Sequence, residues 1–230
     1  MSRIILHQWE ISPFCLKVRK ILQYKQLVYV TKNYNGLLAL RVSKLSKSAK
    51  LPMLKYEGDW IQDSSDIAEF LERRHPQPAL FPSDPQQQAQ ALLWEDWADE
   101  SLYWYEVYFR FMDQRALQLS IPMLCADRPR FEAWIIGSLA PIIYRQQLRA
   151  QGIGRLTRDR VETKFFQHLD RIEVVLSQQP WLASHELTIA DIAVAAQLEE
   201  ILRTSALKNR ILAYPKLADW LTRINYSNPV

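Results

Sequence analysis

Glycine is scarce, with only five residues in a chain of 230. That is too few for a turn-rich β fold or for glycine loops that cradle nucleotide phosphates, and it favours helices. Cysteine is scarcer still. Cys15 and Cys125 cannot build a disulfide framework, so a reducing cytoplasm is the expected location. No apolar run approaches the roughly 18 residues of a membrane helix, and the start, Met1–Leu6, is cut short as a signal sequence by His7 and Gln8. The four histidines, His7, His75, His168 and His185, have no metal-ligand spacing, so no metal is expected. What remains is an ordinary globular balance, 48% apolar and 23% charged.

Charge is uneven: residues 1–80 carry 13 Lys and Arg against 7 Asp and Glu, and residues 81–230 carry 16 against 18. The basic residues are scattered and no Arg-rich run with interleaved aromatics occurs, so nucleic acid is not an expected partner. A positive face of this kind suits a small anionic ligand.

The apolar pattern divides the chain. Ile4–Gln8 reads as a buried strand. Ser12-Pro13 opens a helix with apolar positions Phe14, Val18, Ile21 and Leu22. Leu27–Thr31 is a second strand, and Leu37–Leu45 a short helix. Leu51–Tyr56, Glu57–Asp59 and Trp60–Gln62 read as strand, turn and strand. Asp63 caps a helix running to about Arg74. The order βαβα then ββα is thioredoxin-like. Pro76, Pro78, Pro82 and Pro85 then mark a break. Beyond it only helical patterns appear: a long aromatic one over 87–113, then about 128–150, 158–178, 189–203 and 215–225. The expected fold is an α/β thioredoxin-like domain over 1–76, a linker over 77–86, and an all-α domain over 87–230.

Ser12-Pro13-Phe14-Cys15 lies where the first strand meets the first helix. Unpaired N–H groups and the helix dipole favour an anion there. A thiolate suits a Ser donor. One charge-assisted hydrogen bond is worth roughly 1.5–3 kcal/mol, which would bring a bound thiol from about 8.5 to about 6.5–7.5. Ser12 also reads simply as an N-cap. Leu51-Pro52 is either a cis pair turning the Leu51 backbone outward or an edge-strand proline. Asp63-Ser64 is either a helix cap or a grip on an α-amino acid head, carboxylate on Ser64 and ammonium on Asp63.

Taken in order, Ser12-Pro-Phe-Cys-Leu-Lys-Val-Arg, Lys50-Leu-Pro52-Met-Leu and Gln62-Asp63-Ser64-Ser-Asp-Ile-Ala-Glu-Phe-Leu-Glu resemble the three glutathione-binding motifs of the cytosolic glutathione transferases. Thr188-Ile-Ala-Asp191-Ile-Ala resembles that family's helix-capping box, and Tyr214-Pro-Lys-Leu-Ala-Asp-Trp220 its C-terminal segment. The resemblance implies that Ser12 holds the catalytic position. It implies a cis Pro52, with Leu51 pairing its backbone with the cysteinyl part of glutathione, Asp63 and Ser64 on the γ-glutamyl end, and Lys50 near the glycyl carboxylate. Cys15 is the second catalytic candidate, although the glutaredoxin-like relatives carry their nucleophilic cysteine at the first position of this motif, where Ser12 stands, and here a cysteine comes only three residues later; as a small apolar residue it would simply be core.

The function implied is conjugation of glutathione, the co-substrate, to a small hydrophobic electrophile in the cytoplasm, by a homodimer, with no membrane as partner. The rival readings are a Cys15-dependent thiol-transferase or peroxidase and a non-catalytic interaction module. Trp9, Phe14, Tyr105 and Tyr108 are the candidates for the electrophile pocket. Tyr105 and Tyr108 share a helix face, which is also what core packing would produce.

Overall fold

The structure, a computed structural model, describes residues 4–45 and 49–227. Met1–Arg3 of the N-terminal stretch weighed above lie outside them. Four strands form one sheet in the order β2-β1-β3-β4: β1 (Ile4–Gln8), β2 (Tyr29–Asn33), β3 (Met53–Tyr56) and β4 (Asp59–Gln62). β1 runs parallel to β2 from Ile4↔Tyr29 to Gln8↔Asn33. It runs antiparallel to β3, which is antiparallel to β4. The second strand begins two residues later than expected because Leu27 belongs to the helix exit, its N–H donating to Leu22 O at 2.9 Å.

Helix α1 (Pro13–Tyr24) starts where Ser12 caps it and Pro13, needing no N–H partner, takes the first helical position. Its Val18, Ile21 and Leu22 are fully buried with Leu6 and Leu54 of the sheet. A 3₁₀ stretch, Gly36–Lys44, replaces the expected short helix. Helix α2 (Ser64–Arg74) follows β4 and is capped by Asp63.

The proline-rich segment after α2 is clamped. The buried Lys25 ammonium donates to Glu72 Oε2, to His75 O at 2.6 Å and to Pro78 O at 2.9 Å. Leu80 is fully buried. Its N–H donates to Glu72 at 3.1 Å, and its carbonyl accepts from Ile189 N at 3.0 Å.

The remainder is helical: α3 (Pro85–Trp97), α4 (Tyr103–Phe111), α5 (Gln114–Leu124), α6 (Arg130–Gln151), α7 (Arg158–Gln178), α8 (Ile189–Thr204), α9 (Lys208–Ile211) and α10 (Pro215–Ser227). The long aromatic helix expected over 87–113 is present as α3 and α4, which run on without a break through a π turn, Ala98–Leu102. The wider turn rotates every later side chain about the axis. Helix α5 was not expected: Pro122 inside it masks the pattern, although Asp113 caps it with bonds from Arg115 N and Ala116 N. Helix α8 is buried on nearly all faces, from Ile189 through Leu198, and packs against α1, α3 and α4. It is the common core on which both parts of the chain rest.

Candidate active site

A cavity of about 620 Å³ opens between the first turn of α1 and helices α4 and α6. Ser12, Lys50 and Leu51 line one side of it with Trp9 and Phe14. The elements explain this gathering. The β1–α1 junction supplies Trp9 through Phe14, and the segment entering β3 supplies Lys50 and Leu51.

Ser12 is 9% exposed, and its Oγ accepts from Cys15 N at 3.4 Å. Because the hydroxyl accepts from the helix start, its own proton is left for donation outward. The Leu51–Pro52 peptide is cis.

Cys15 is fully buried, and its Sγ accepts from Trp9 N at 3.4 Å. Burial pushes the thiol up to about 11, outweighing the hydrogen bonds from Trp9 and Ser12. Such a thiol is neither accessible nor ionised near neutrality.

Asp63 and Ser64 stand off the cavity wall at the start of α2. Asp63 Oδ1 accepts from Ser65 N at 2.9 Å, and Asp63 holds a left-handed φ of 69° with ψ 139°. A non-glycine residue held there is strained, and such residues cluster at functional sites. Below them lies a buried ion cluster. Lys17 is 1% exposed, and its ammonium donates to Asp99 Oδ2 at 2.7 Å, to Glu95 Oε1 and to Ser65 Oγ at 3.2 Å. Asp99 also lines the cavity. Its Oδ1 is buried without a hydrogen-bond partner among the described residues. Burial pushes the Asp99 carboxyl up to about 6, with Lys17 opposing and Glu95 and Asp63 adding to the rise.

Tyr105 and Tyr108, expected in the pocket, are not on its wall. Tyr105 packs on Phe165 and His168 of α7, with centroids 5.7 and 5.6 Å away. Tyr108 is buried beside Phe109. The wall is built by Asp99, Tyr103, Glu106, Val107, Arg110 and Phe111, a three- and four-residue spacing that marks one helix face. Tyr105 lies about 200° around the helix from Tyr103 and so points the other way. Opposite, Tyr144 of α6 stacks on Phe111 at 3.8 Å, and Tyr103 meets Phe14 at 4.9 Å.

The residues that sequence reading missed are Asp99, Glu106 and Arg110. Two opposite charges at i, i+4 inside the aromatic run Tyr103–Phe111 were the available signal. No described helix is long and apolar enough to cross a membrane, and no His, Cys, Asp and Glu group suited to a metal occurs among the described residues.

Comparison with known proteins identifies the family. Residues 13–116 match the glutathione S-transferase N-terminal domain family and residues 156–223 the glutathione S-transferase C-terminal domain family. The chain belongs to the cytosolic glutathione transferase superfamily. A probable glutathione S-transferase, parC, of Nicotiana tabacum is 33% identical over 44% of this chain and 47% of its own, so the chain spans about half the length of that relative. The isoprene-epoxide glutathione S-transferase of Rhodococcus sp. is 23% identical over 94% of this chain and 92% of its own. Among solved structures, a glutathione S-transferase of Methylobacterium radiotolerans in complex with glutathione sulfonate shares the fold. Its TM-score is 0.62 at 24% identity, covering 97% of this chain and 90% of that one.

Proposed function

We propose that this protein is a glutathione transferase that binds reduced glutathione along the β1–α1, β3 and α2 junctions and transfers its sulfur to an electrophilic small molecule. The observation that carries the reading is the position of Ser12, a capping hydroxyl at a helix start that opens on the same cavity as Lys50 and Leu51. There the Ser12 hydroxyl donates to the thiolate, with the α1 N-terminus behind it. Leu51 pairs its backbone with the cysteinyl residue beside Pro52, and Lys50 takes the glycyl carboxylate. Asp63 and Ser64 hold the γ-glutamyl end. The unpartnered Asp99 Oδ1 supplies a second carboxylate oxygen for the ammonium.

The electrophile occupies the aromatic part of the cavity, against Trp9, Phe14, Tyr103 and Phe111. Catalysis is then thiolate stabilisation plus proximity, without a covalent enzyme intermediate. Burial of Cys15 argues against the thiol-transferase reading, and the convergence of Ser12, Lys50 and Leu51 on one cavity argues against a purely structural module. A homodimer, a cytoplasmic location and a detoxifying role belong to the same proposal, as does the division into domains at 77–86.

The test is calorimetric titration with reduced glutathione, followed by turnover of 1-chloro-2,4-dinitrobenzene. Binding in the micromolar to millimolar range with measurable conjugation is expected. Absence of binding would overturn the reading.

A further inference from the structure

Helix α6 is apolar on two sides. Inward, Leu148 is fully buried, and Tyr144 lines the cavity against Phe111. Outward, Phe131, Trp134, Ile135, Leu139, Ile142 and Ile143 recur at three- and four-residue spacing and so share a second face. Trp134 is 75% exposed, Ile142 66% and Phe131 59%, and Leu139 and Ile143 are half exposed. Single exposed apolar residues are ordinary on a soluble protein, whereas a contiguous row of them marks an interaction surface. The two domain-family matches stop at residue 116 and resume at 156, so all of α6 lies between them.

The charge around this row has one sign. Arg130 stands at its N-terminal end, and Arg145 and Arg149 lie beyond its C-terminal end. All three are exposed, and none is in an ion pair among the described residues. Glu132, the only acid of α6, is buried and spent on Arg128 and on Leu37 N, the latter at 2.8 Å. That second contact joins α6 to the 3₁₀ stretch Gly36–Lys44, which repeats the pattern. Leu40 is 73% exposed there, with Arg41 and Lys44 exposed near it. The chain has no Asp or Glu between Glu10 and Glu57.

We propose that the outer face of α6, with the neighbouring Leu40, docks on a bilayer surface rich in anionic lipid headgroups. The apolar row enters the acyl boundary, and the arginines meet the phosphates. A second copy of the chain does not suit the face: a two-fold axis, with the helices parallel or antiparallel, sets arginine against arginine at both ends. Nor has the face the means to read another protein. Between Phe131 and Ile143 the only polar side chains are Glu132, already engaged, and Ser138, whose hydroxyl donates to Trp134 O at 2.9 Å. Protein interfaces carry about one hydrogen bond per 100–200 Å²; acyl chains ask for none. Aromatic and aliphatic side chains flanked by arginine are what a helix lying in the headgroup layer presents.

This departs from the expectation that no membrane is a partner, which rested on the lack of a spanning segment. No described helix is long and apolar enough to cross a bilayer, and lying on its surface requires none. Docking would hold the cavity wall at Tyr144 about one helix diameter, roughly 10 Å, from the lipid. The proposal stands independently of the transferase reading.

The test is co-sedimentation with sucrose-loaded vesicles of phosphatidylcholine, with and without about 30% phosphatidylglycerol, as salt is raised from about 0.1 to about 0.5 M. Wild type should partition onto the anionic vesicles about tenfold or more above phosphatidylcholine alone, and salt should release it. Trp134→Ser with Ile142→Ser, and separately Arg145→Gln with Arg149→Gln, should each weaken binding about tenfold or more. Melting temperatures should stay near wild type, because all four side chains are exposed. Failure of wild type to sediment with anionic vesicles, or binding unchanged in either variant, would overturn the proposal. So would a lipid-free wild-type dimer, seen by analytical ultracentrifugation, that the serine variant dissociates, because the face would then be a contact between copies. Should the serine variant fail to fold, the arginine variant and the salt dependence decide.

Discussion

The indole Nε1 of Trp220 donates to Asp191 Oδ1 at 2.8 Å, tying α10 to the first turn of α8 where both side chains are fully buried. The same oxygen accepts from Leu182 N at 2.9 Å, and Oδ2 accepts from Thr188 N at 2.9 Å and Thr188 Oγ1 at 3.0 Å. The carboxylate is thus saturated by donors from three parts of the chain and has nothing to offer a substrate. Replacing it with Ala strands those donors in the core. Asp191→Ala should destabilise the fold by roughly 3–5 kcal/mol, the sum of several unsatisfied buried groups. Thermal melting checks this, and turnover per folded molecule should stay near wild type.

Ser12→Ala removes a cap and, on the function proposed above, the donor to the thiolate. The lost cap costs about 1 kcal/mol of stability. Turnover should fall about tenfold or more while glutathione affinity changes only a few-fold, because the hydroxyl meets only the sulfur. The pH–rate midpoint should move upward, as the bound thiol returns toward its ordinary value. Steady-state kinetics across pH check this, and an unmoved midpoint would remove Ser12 from the chemistry.

Cys15 yields the opposite expectation. Its thiol is fully buried and pushed up to about 11, so Cys15 in the native protein should resist iodoacetamide at pH values where a free thiol reacts within minutes. Cys15→Ala should keep most of its conjugating activity. Mass spectrometry of alkylated native and unfolded protein separates the two states. Rapid native labelling of Cys15 would restore the thiol-transferase reading.

Glu106 leaves a signature in stability. Its folded value of about 7 lies above the ordinary 4.5, so between those values the native state holds a proton that the unfolded chain has shed. The stabilisation it gives is full below about pH 4.5 and is lost as pH rises through about 7. Its size is on the order of 3 kcal/mol. Denaturant titrations at several pH values should show wild-type stability declining over this window, and Glu106→Gln should lessen that decline, leaving the share that the raised Asp99 carboxyl contributes.

The thioredoxin-like half was legible because its signals are local. Ser12-Pro13 and Asp63 announce helix starts, and the Glu57–Asp59 turn sets the β3–β4 hairpin. The cavity wall was less so. Aromatic residues at helical spacing identify a helix but not its phase, and the π turn at Ala98–Leu102 resets that phase without a composition cue. Tyr105 and Tyr108 were therefore assigned to a face that α7 covers, while Asp99, Glu106 and Arg110 went unremarked. Proline inside α5 likewise hides a helix that tertiary packing sustains, whereas α6 is legible despite Pro141.

Asp99 offers the sharpest test of the glutathione end. Its Oδ2 is engaged by Lys17 at 2.7 Å, its Oδ1 is unpartnered, and the side chain lines the cavity. Because burial pushes the carboxyl up to about 6, its charge is present at neutral pH and is lost as pH falls through that value. An ammonium bound there should follow suit. Wild-type affinity for glutathione should therefore weaken below about pH 6, and at about pH 7.5 Asp99→Asn should bind roughly tenfold less tightly, the loss of one charged hydrogen bond. In acid the two proteins should converge. Lys17 keeps Glu95 and Ser65 as partners in the variant, so the cluster beneath the site retains its charge compensation. A glutathione analogue lacking the γ-glutamyl amino group separates contact from collapse: it should bind wild type and Asp99→Asn equally at every pH. Calorimetric titration of both ligands against both proteins at about pH 5.5 and about pH 7.5 gives the comparison. If the analogue distinguishes the proteins as strongly as glutathione does, Asp99 shapes the site without touching the ammonium.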